Sequence, residues 1–358
     1  MSIEIPRAVR WHGDSVRIID QTLLPTEYRE VDLVQIDDLV EAIRALRVRG
    51  APAIGIAGAM GLVASLKPYL DLSEPELRAR LMRHADQLRD ARPTGANLKW
   101  AVDRVAALAT ELPAATNVEL WRKMRAEATA ILEEDREMCR QIGEHGLPLL
   151  DQGSTVLTHC NAGALATGGI GTALAPLYLA AERGLRVKIV ATETRPLLQG
   201  SRLTAWELGR AGLDVTLVAD GAAAAAMHRL GVNVVIVGAD RIVANGDVAN
   251  KIGTYALAIA AAHHGIPFYV AAPTSTFDLT LSSGEEIRIE ERAAEELSRG
   301  FGRQTAPDDV AVFSEAFDVT PARLIAGLIT EKGIFRPPYR ESLAALSESR
   351  KKRGECSE

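Results

Sequence analysis

The second half of the chain contains five short apolar runs rich in valine and isoleucine, separated by segments of helical length. These runs lie at residues 154–159, 186–193, 214–219, 232–238 and 266–272. Their apolar residues are continuous rather than alternating, which is typical of strands covered on both faces of a parallel sheet. The pattern therefore predicts an α/β fold with a doubly wound, mainly parallel sheet. A sixth strand is predicted near residues 310–313 and a closing helix over residues 320–331.

The first half has the spacing of amphipathic helices after a short hairpin around residues 16–20. Apolar residues within 38–47 fall on one helical face, Gly50 is predicted to end that helix, and Pro52 to open the next one. Further helices are predicted over residues 75–91, from residue 97, and over residues 117–144. The helix after Pro52 carries a stripe of glycines that predicts a close neighbour, either protein or ligand: Gly55, Gly58 and Gly61.

A chain of 358 residues is long enough for two domains. The change of pattern predicts a smaller, mostly helical N-terminal domain with a long linking helix over residues 1–146. A Rossmann-like domain is predicted over residues 147–358.

Composition excludes several classes of protein. The chain is 47% hydrophobic and 25% charged with a net charge of −6, which excludes disorder, collagen and coiled coils. Its three cysteines form no CxxC pair and support neither a disulfide framework nor a structural zinc site. The acidic balance argues against nucleic acid, and the basic run at residues 350–353 is assigned to a solvated tail.

Membrane insertion and export are not predicted. The longest apolar stretch, residues 54–64, is too short to cross a bilayer. The N-terminus has no apolar core of signal-peptide length, so we expect a cytoplasmic protein.

Polar clusters follow each of the five predicted strands. In open α/β sheets, ligands bind beyond the carboxyl ends of the strands, so these clusters are predicted to share one edge. They lie at residues 159–163, 193–202, 220–221, 238–251 and 273–278.

Two residues in these clusters are candidate proton carriers. Asp240 follows an apolar strand, where burial would raise its pKa and suit it to acid and base chemistry; the alternative is a structural carboxylate, paired for example with Arg241. Cys160 lies before a glycine-rich turn and a helix, whose N-terminus would stabilise a thiolate. The alternative for a lone cysteine is a small buried hydrophobic residue.

His159 is a weaker candidate, since a buried, hydrogen-bonded structural role explains it equally well. No second histidine or carboxylate lies at ligand spacing on the same element, and His263–His264 falls late in a helix. Neither a metal nor a cofactor is therefore predicted.

Several basic residues are placed to bind an anion. Arg49, Gly50 and Ala51 lie at the start of a helix, where backbone N–H groups are available to phosphate. Arg92 follows another helix and could add a bidentate contact. Lys251, beside Asn250, is predicted at the opening of the helix after the fourth strand. A dehydrogenase is a minor alternative, because Gly169-Ile170-Gly171 is followed by Leu174 and the GxGxxG spacing fails.

Six segments together closely resemble the methylthioribose-1-phosphate isomerase family. They are VRGAPAIGIAGAMG (48–61), RPTGANLKWAVDR (92–104), THCNAGALAT (158–167), ETRPLLQGSRLTAWEL (193–208), VGADRIVANGDVANKIGTY (237–255) and FDVTPARLI (317–325). The resemblance runs from about residue 11 to 335. It extends to the alpha, beta and delta regulatory subunits of translation initiation factor 2B and to ribose-1,5-bisphosphate isomerase.

The resemblance implies an aldose–ketose isomerase of methionine salvage that acts on a small sugar phosphate and forms a homodimer. It implies Asp240 as the proton donor and Cys160 as the residue that assists the transition state. The implied substrate-binding residues are Arg49, Gly50, Ala51, Arg92, Gln199, Asn250 and Lys251. A regulatory subunit that senses a sugar phosphate or nucleotide without turnover is the competing interpretation.

Overall fold

The computed structural model describes residues 3–92, 95–344 and 346, so the basic run at 350–353 lies outside the described residues. The chain forms two compact units. The N-terminal unit comprises Ile5–Arg140 and Ala162–Gly171, and the C-terminal unit comprises the other described residues. The division into domains at residues 146–147 stays a prediction.

The N-terminal unit opens with a three-stranded antiparallel sheet in the order β1-β2-β3. The strands are β1 (Val9–His12), β2 (Ser15–Ile19) and β3 (Glu30–Leu33). The predicted helical spacing of the first half is confirmed by five helices: α1 (Ile36–Arg44), α2 (Ala51–Leu66), α3 (Glu74–Arg89), α4 (Ala96–Glu111) and α5 (Asn117–Gly146).

Helix α2 is the central core helix of this unit. Through Tyr69 it is long and apolar enough to span a membrane by length and composition, but most of it is buried, as in the core of a soluble protein. Its glycine stripe has a protein neighbour. A Cβ at Gly55 would lie 2.9 Å from the carbonyl oxygen of Asn97, and one at Gly61 would lie 2.7 Å from Cδ2 of Leu39.

The prediction that Gly50 ends the first helix is wrong. Helix α1 ends at Arg44, and Gly50 instead precedes α2 as its N-cap, with φ of +88°. A Cβ at Gly50 would lie 2.6 Å from the Cβ of Ala166. Glycine is therefore required there by both the backbone conformation and the close approach of Ala166.

The C-terminal unit contains the end of α5, residues 141–146, and the remaining elements. In chain order they are β4 (Thr155–Thr158), α6 (Ala175–Glu182), β5 (Lys188–Thr192), α7 (Ala205–Arg210), β6 (Asp214–Val218), α8 (Ala223–Arg229), β7 (Val234–Val237), β8 (Arg241–Val243), β9 (Val248–Lys251), α9 (Thr254–His263), β10 (Phe268–Ala271), β11 (Phe277–Asp278), α10 (Glu295–Ser298), β12 (Arg299–Gly300), β13 (Arg303–Gln304), β14 (Phe317–Thr320), β15 (Gly327–Thr330), β16 (Gly333–Phe335) and α11 (Tyr339–Ser342).

Seven strands form the main sheet, in the order β16-β15-β10-β7-β4-β5-β6. All neighbours pair in parallel except β15 with β16. The five predicted strands are confirmed as β4, β5, β6, β7 and β10, and the α/β fold class with them. A second sheet has the order β11-β8-β9-β14 and contains β8 and β9, the two strands that follow β7 in the chain.

Two predictions for the C-terminal part are wrong. Residues 310–313 form no strand, and residues 320–331 form no helix beyond a short 3-10 turn at Ala322–Leu324. The sixth parallel strand is β15, which is buried along its whole length. Gly327 disfavours a continuous helix, and the residues from Gly327 to Thr330 suit a strand covered on both faces.

Candidate active site

Cys160 follows β4 in a strained backbone conformation, with φ of +61°. Its N–H donates to Oγ1 of Thr194 at 2.8 Å, and its carbonyl accepts from Oγ1 of Thr204 at 2.5 Å. Positive φ at a non-glycine residue costs about 1–2 kcal/mol, which these contacts offset. The predicted helix N-terminus is absent there, since the chain forms only a 3-10 turn at Ala164–Ala166 before α6 begins at Ala175.

His159 has the structural role that the sequence left open. It is almost fully buried, and its Nε2 lies 2.8 Å from the carbonyl oxygen of Ile252 while Nδ1 lies 2.6 Å from Oγ1 of Thr192. Since a carbonyl only accepts, Nε2 carries the proton and Nδ1 accepts from the hydroxyl. Burial lowers the pKa of His159, which keeps the ring neutral.

Asp240 follows β7 by way of Gly238 and Ala239. Its backbone N–H donates to the carbonyl of Ala249 at 2.9 Å, which joins it to β9. The predicted burial of Asp240 is wrong, because the side chain is exposed. Arg241, the structural partner considered for it, instead pairs with Asp278, with Nη1 3.5 Å from Oδ2.

Asn250 and Lys251 end strand β9. Asn250 is buried, and its Nδ2 donates to Oγ1 of Thr254 at 3.0 Å. Lys251 is not at the opening of a helix as predicted, since α9 begins only at Thr254. Its ammonium group lies over the ring of Phe317, with Nζ 4.3 Å from the ring centroid.

Gln199 precedes a π-helical turn, Gly200–Thr204, of the kind often found at functional sites. A Cβ at Gly200 would collide with the carbonyl of Thr192 and lie 2.8 Å from Oγ1 of Thr194, so only glycine fits beside β5. Gln199 is 7% exposed, and its Oε1 has no hydrogen-bond partner in the described part of the chain. That oxygen is available to a ligand hydroxyl, and Gln199 lines a small cleft with Lys251.

Asp220 holds the turn that carries Thr194. Its Oδ1 accepts from the N–H of Thr194 at 2.8 Å, and its Oδ2 accepts from the N–H of Arg195 at 2.7 Å. Thr194, with φ of +65°, in turn binds the Cys160 amide. The sequence places Asp220 in a polar cluster but predicts no role for it. In the structure, Asp220 holds the backbone of Thr194 and Arg195 in place.

The predicted phosphate-binding residues of the N-terminal unit lie at helix ends. Arg49 is half-buried, Ala51 is exposed at the first position of α2, and Arg92 is half-buried after α3. The first N–H groups of a helix have no acceptor within it, so the Ala51 amide can bind an anion. Gly50 rests on Ala166, in the segment 162–171 that follows Cys160 and Asn161 in the chain and belongs to this unit.

Strand β9 connects the predicted site residues of the C-terminal unit. Asp240 binds the carbonyl of Ala249, and His159, which precedes Cys160, binds the carbonyl of Ile252. Asn250 and Lys251 lie between those two contacts. Asp240 and Cys160 are therefore brought to opposite ends of the segment 249–252, which itself contains Asn250 and Lys251.

Comparison with known proteins identifies the family. The profile of the initiation factor 2 subunit family matches residues 47–337, most of the chain. The chain belongs to the initiation factor 2 subunit family.

Proteins similar to this chain over nearly its full length include isomerases. The chain is 54% identical over 342 residues to a 5-deoxyribose 1-phosphate isomerase from Moorella thermoacetica, covering 94% of this chain and 96% of that protein. It is 49% identical over 348 residues to a methylthioribose-1-phosphate isomerase from Bacillus cereus, covering 97% and 98%. The crystal structure of a 5-methylthioribose 1-phosphate isomerase from Pyrococcus horikoshii matches with a TM-score of 0.93 at 42% identity, covering 97% of each chain.

Sequence reasoning missed two residues of the family motif FDVTP. Phe317 lies over Lys251, and Asp318 accepts from the N–H groups of Gly253 at 2.8 Å and Tyr255 at 3.1 Å. Both lie on β14, which pairs with β9 so that Phe317 is opposite Lys251 and Asp318 is opposite Asn250. The motif was quoted for its resemblance, but its residues received no role because the strand pairing is not visible in a linear pattern.

Proposed function

We propose that the chain is an aldose–ketose isomerase that converts 5-methylthio-α-D-ribose 1-phosphate into 5-methylthio-D-ribulose 1-phosphate in methionine salvage. Full-length identity of about half to isomerases of two such sugar phosphates carries the proposal. Those substrates share the ribose 1-phosphate and differ at C5, so the reaction is the same for both.

The reaction needs an acid because phosphate on the anomeric oxygen prevents the sugar ring from opening spontaneously. In the proposed mechanism, Asp240 gives a proton to the ring oxygen as its bond to C1 breaks. The hydrogen on C2 moves to C1, the C2 hydroxyl gives its proton to water or to the Asp240 carboxylate, and the ketone forms. An exposed carboxyl can take up its next proton directly from water.

Cys160 is proposed to assist the hydrogen movement or to stabilise the charge that develops at C1 and C2. A hydride route and a proton route through an enolate both need a group beside these carbons. The two hydrogen bonds to the Cys160 backbone fix where its thiol can lie, which is the preorganisation that such catalysis requires.

The remaining predicted residues are proposed to bind the substrate. Arg49, the Gly50 and Ala51 amides, Arg92 and Lys251 would bind phosphate, Gln199 would bind a sugar hydroxyl, and Asn250 would bind the substrate beside Lys251. The unpartnered Oε1 of buried Gln199 supports its part of this assignment, because an unpaired buried acceptor costs about 1–3 kcal/mol until a donor arrives.

Turnover by the purified protein tests the function. We expect methylthioribose 1-phosphate to be converted to the ketose with a higher kcat/KM than 5-deoxyribose 1-phosphate or ribose 1,5-bisphosphate. A higher kcat/KM for 5-deoxyribose 1-phosphate would move the assignment to that substrate without changing the reaction.

The family name favours one alternative, a regulatory subunit that binds a sugar phosphate or nucleotide and acts through partner proteins. The same assay separates the two functions. If calorimetry shows that the sugar phosphate binds but the assay shows no turnover, the chain is a regulatory subunit that senses the sugar phosphate and not an isomerase.

We also propose a cytoplasmic homodimer. Strand β6 is an edge of the main sheet, and its Leu217 is 48% exposed, which makes this edge the surface we assign to a second copy. Light scattering on the purified protein should give twice the 38.5 kDa chain mass, and Leu217→Lys should reduce it to the monomer. A monomeric wild-type protein would contradict the dimer.

A further inference from the structure

We propose that His159 and Asp318 are positioning residues that grip the two ends of one peptide group, Ile252–Gly253, and so fix Lys251 relative to Cys160. This inference rests on the proposed function, in which Lys251 binds substrate and Cys160 assists catalysis.

The grip is visible in two hydrogen bonds. Nε2 of His159 donates to the carbonyl of Ile252 at 2.8 Å, and Oδ2 of Asp318 accepts from the N–H of Gly253 at 2.8 Å. The carbonyl and the N–H belong to the same peptide group, which is planar. Contacts at both of its ends therefore fix the orientation of the whole group, and with it the end of β9.

His159 is built to donate to this carbonyl. The hydroxyl of Thr192 donates to Nδ1, so Nε2 carries the proton of the neutral ring. The ring also packs directly on the peptide, because a Cβ at Gly253 would lie 3.1 Å from Cε1 of His159. Gly253 has φ of +104°, so only glycine suits both its backbone and this approach.

Asp318 completes the grip from the other side. Its second oxygen accepts from the N–H of Tyr255 at 3.1 Å, so it also satisfies the first turn of α9. Burial raises the pKa of Asp318 to about 6, which leaves the carboxylate ionised at neutral pH. A charged acceptor makes stronger hydrogen bonds to backbone N–H groups than a neutral one.

Each gripping residue is adjacent to a residue of the proposed reaction. His159 precedes Cys160 in the chain, while Asp318 follows Phe317, whose ring lies under Lys251. The hydrogen-bonding atoms of His159 and Asp318 are directed to protein groups, so we assign them to positioning rather than to contact with substrate.

The experiment compares His159→Leu, which removes the donor, with His159→Gln, which keeps an N–H of similar reach. We expect His159→Leu to lower kcat by about tenfold or more, because small misplacements of reacting groups are costly, and His159→Gln to recover most of that loss. Asp318→Asn, which leaves only one acceptor for two N–H groups, should mainly raise KM. The matched control is Asp247→Asn, since Asp247 likewise accepts from two backbone N–H groups, those of Gly284 and Ala322.

A second readout does not depend on turnover. In a Cys356→Ser background, the rate of iodoacetamide alkylation reports Cys160, because Cys139 is buried. We expect His159→Leu and Asp318→Asn to change that rate by about threefold or more and Asp247→Asn to leave it unchanged. Thermal unfolding confirms that each variant is folded.

Two results would overturn the inference. One is a folded His159→Leu or Asp318→Asn with the wild-type kcat, KM and alkylation rate. The other is equal impairment by His159→Leu and His159→Gln, which would make the donated hydrogen bond irrelevant. If the wild-type protein turns over none of the sugar phosphates while the alkylation rates still follow the expected order, the proposed function fails and the grip on the peptide stands.

Discussion

The phenyl ring of Phe317 lies against the ammonium group of Lys251, with Nζ 4.3 Å from the ring centroid. The two residues are directly opposite each other on antiparallel strands β14 and β9. A lysine side chain has four rotatable bonds, and the ring restricts them before any substrate arrives. Because the Lys251 side chain is already ordered in the folded protein, it loses less conformational entropy when it binds an anion.

Phe317→Leu should weaken substrate binding. Loss of a cation–π contact worth about 0.5–1 kcal/mol should raise KM about two- to fivefold with little change in kcat. Steady-state kinetics measure this split. Phe313→Leu is the control, since Phe313 is 77% exposed; equal effects of the two variants would contradict a specific role for the Phe317 ring.

Asp240→Asn should abolish turnover while substrate still binds. Removal of a general acid typically costs about 10²–10⁴ in rate, and asparagine keeps the shape of the side chain. Calorimetry should give an affinity close to that of the wild type. Asp309→Asn, at another exposed aspartate, should retain full activity. Full activity in Asp240→Asn would remove the acid from the proposed mechanism.

Arg92→Ala should act mainly on binding. A hydrogen bond to a charged group contributes about 1.5–3 kcal/mol, so loss of a phosphate contact should raise KM about tenfold or more. The kcat at saturating substrate should change far less. Arg83→Ala, at an exposed position of α3, serves as the control. A fall in kcat with unchanged KM would place Arg92 in the chemical step instead.

Gly50→Ala should destabilise the protein more than a glycine substitution at a similar φ elsewhere. Gly153 has φ of +85° and nothing within 4 Å of its Cβ position, so Gly153→Ala should cost only about 1–2 kcal/mol. Gly50→Ala carries the same conformational cost and also collides with Ala166. Calorimetric unfolding of both variants tests the difference, and equal melting temperatures would contradict it.

Asp135 should make stability depend on pH. Its carboxyl accepts from the N–H of Gly168 at 2.6 Å, and burial raises its pKa from 3.8 to about 6. Between about pH 4 and 6 the native state therefore holds a proton that the unfolded chain has lost, so stability falls as pH rises through this window. The decrease is at most about 3 kcal/mol.

Urea unfolding of wild type and Asp135→Asn at a series of pH values measures this effect. The difference between the two curves removes contributions from other groups, such as His84, whose pKa burial lowers to about 4. The free energy of unfolding of the wild type, relative to that of Asp135→Asn, should fall as pH rises from about 4 to 6 and then level off. A difference independent of pH would show that Asp135 titrates normally.

Local patterns were sufficient to predict five of the seven strands of the main sheet. Strands β4, β5, β6, β7 and β10 were predicted because each is a continuous apolar run, and that property depends only on neighbouring residues. Helices α2 and α3 were likewise marked by proline near their first residues.

Contacts between distant segments account for what the sequence did not predict. Strand β14 has a partly polar sequence, and its contacts with the site residues arise only from its pairing with β9. No role could therefore be predicted for Phe317 and Asp318 from the sequence. Asp240 lies in the connection between β7 of the main sheet and β8 of the second sheet, so its exposure is set by a change of sheet that the linear pattern does not reveal. The roles of Cys160, Asp240 and the substrate-binding residues stay predictions until the variants above are measured.

The segment 162–171 has a consequence for how the protein is made. Within this segment Ala166 packs against Gly50, the carbonyl of Leu165 accepts from Nε2 of Gln21, and the N–H of Gly168 donates to Asp135. Because these partners are synthesised after β4, the N-terminal unit cannot complete its packing on the ribosome until residue 171 has left the exit tunnel. A gene divided at codon 146 would therefore yield a first fragment without the contacts that close its own interior.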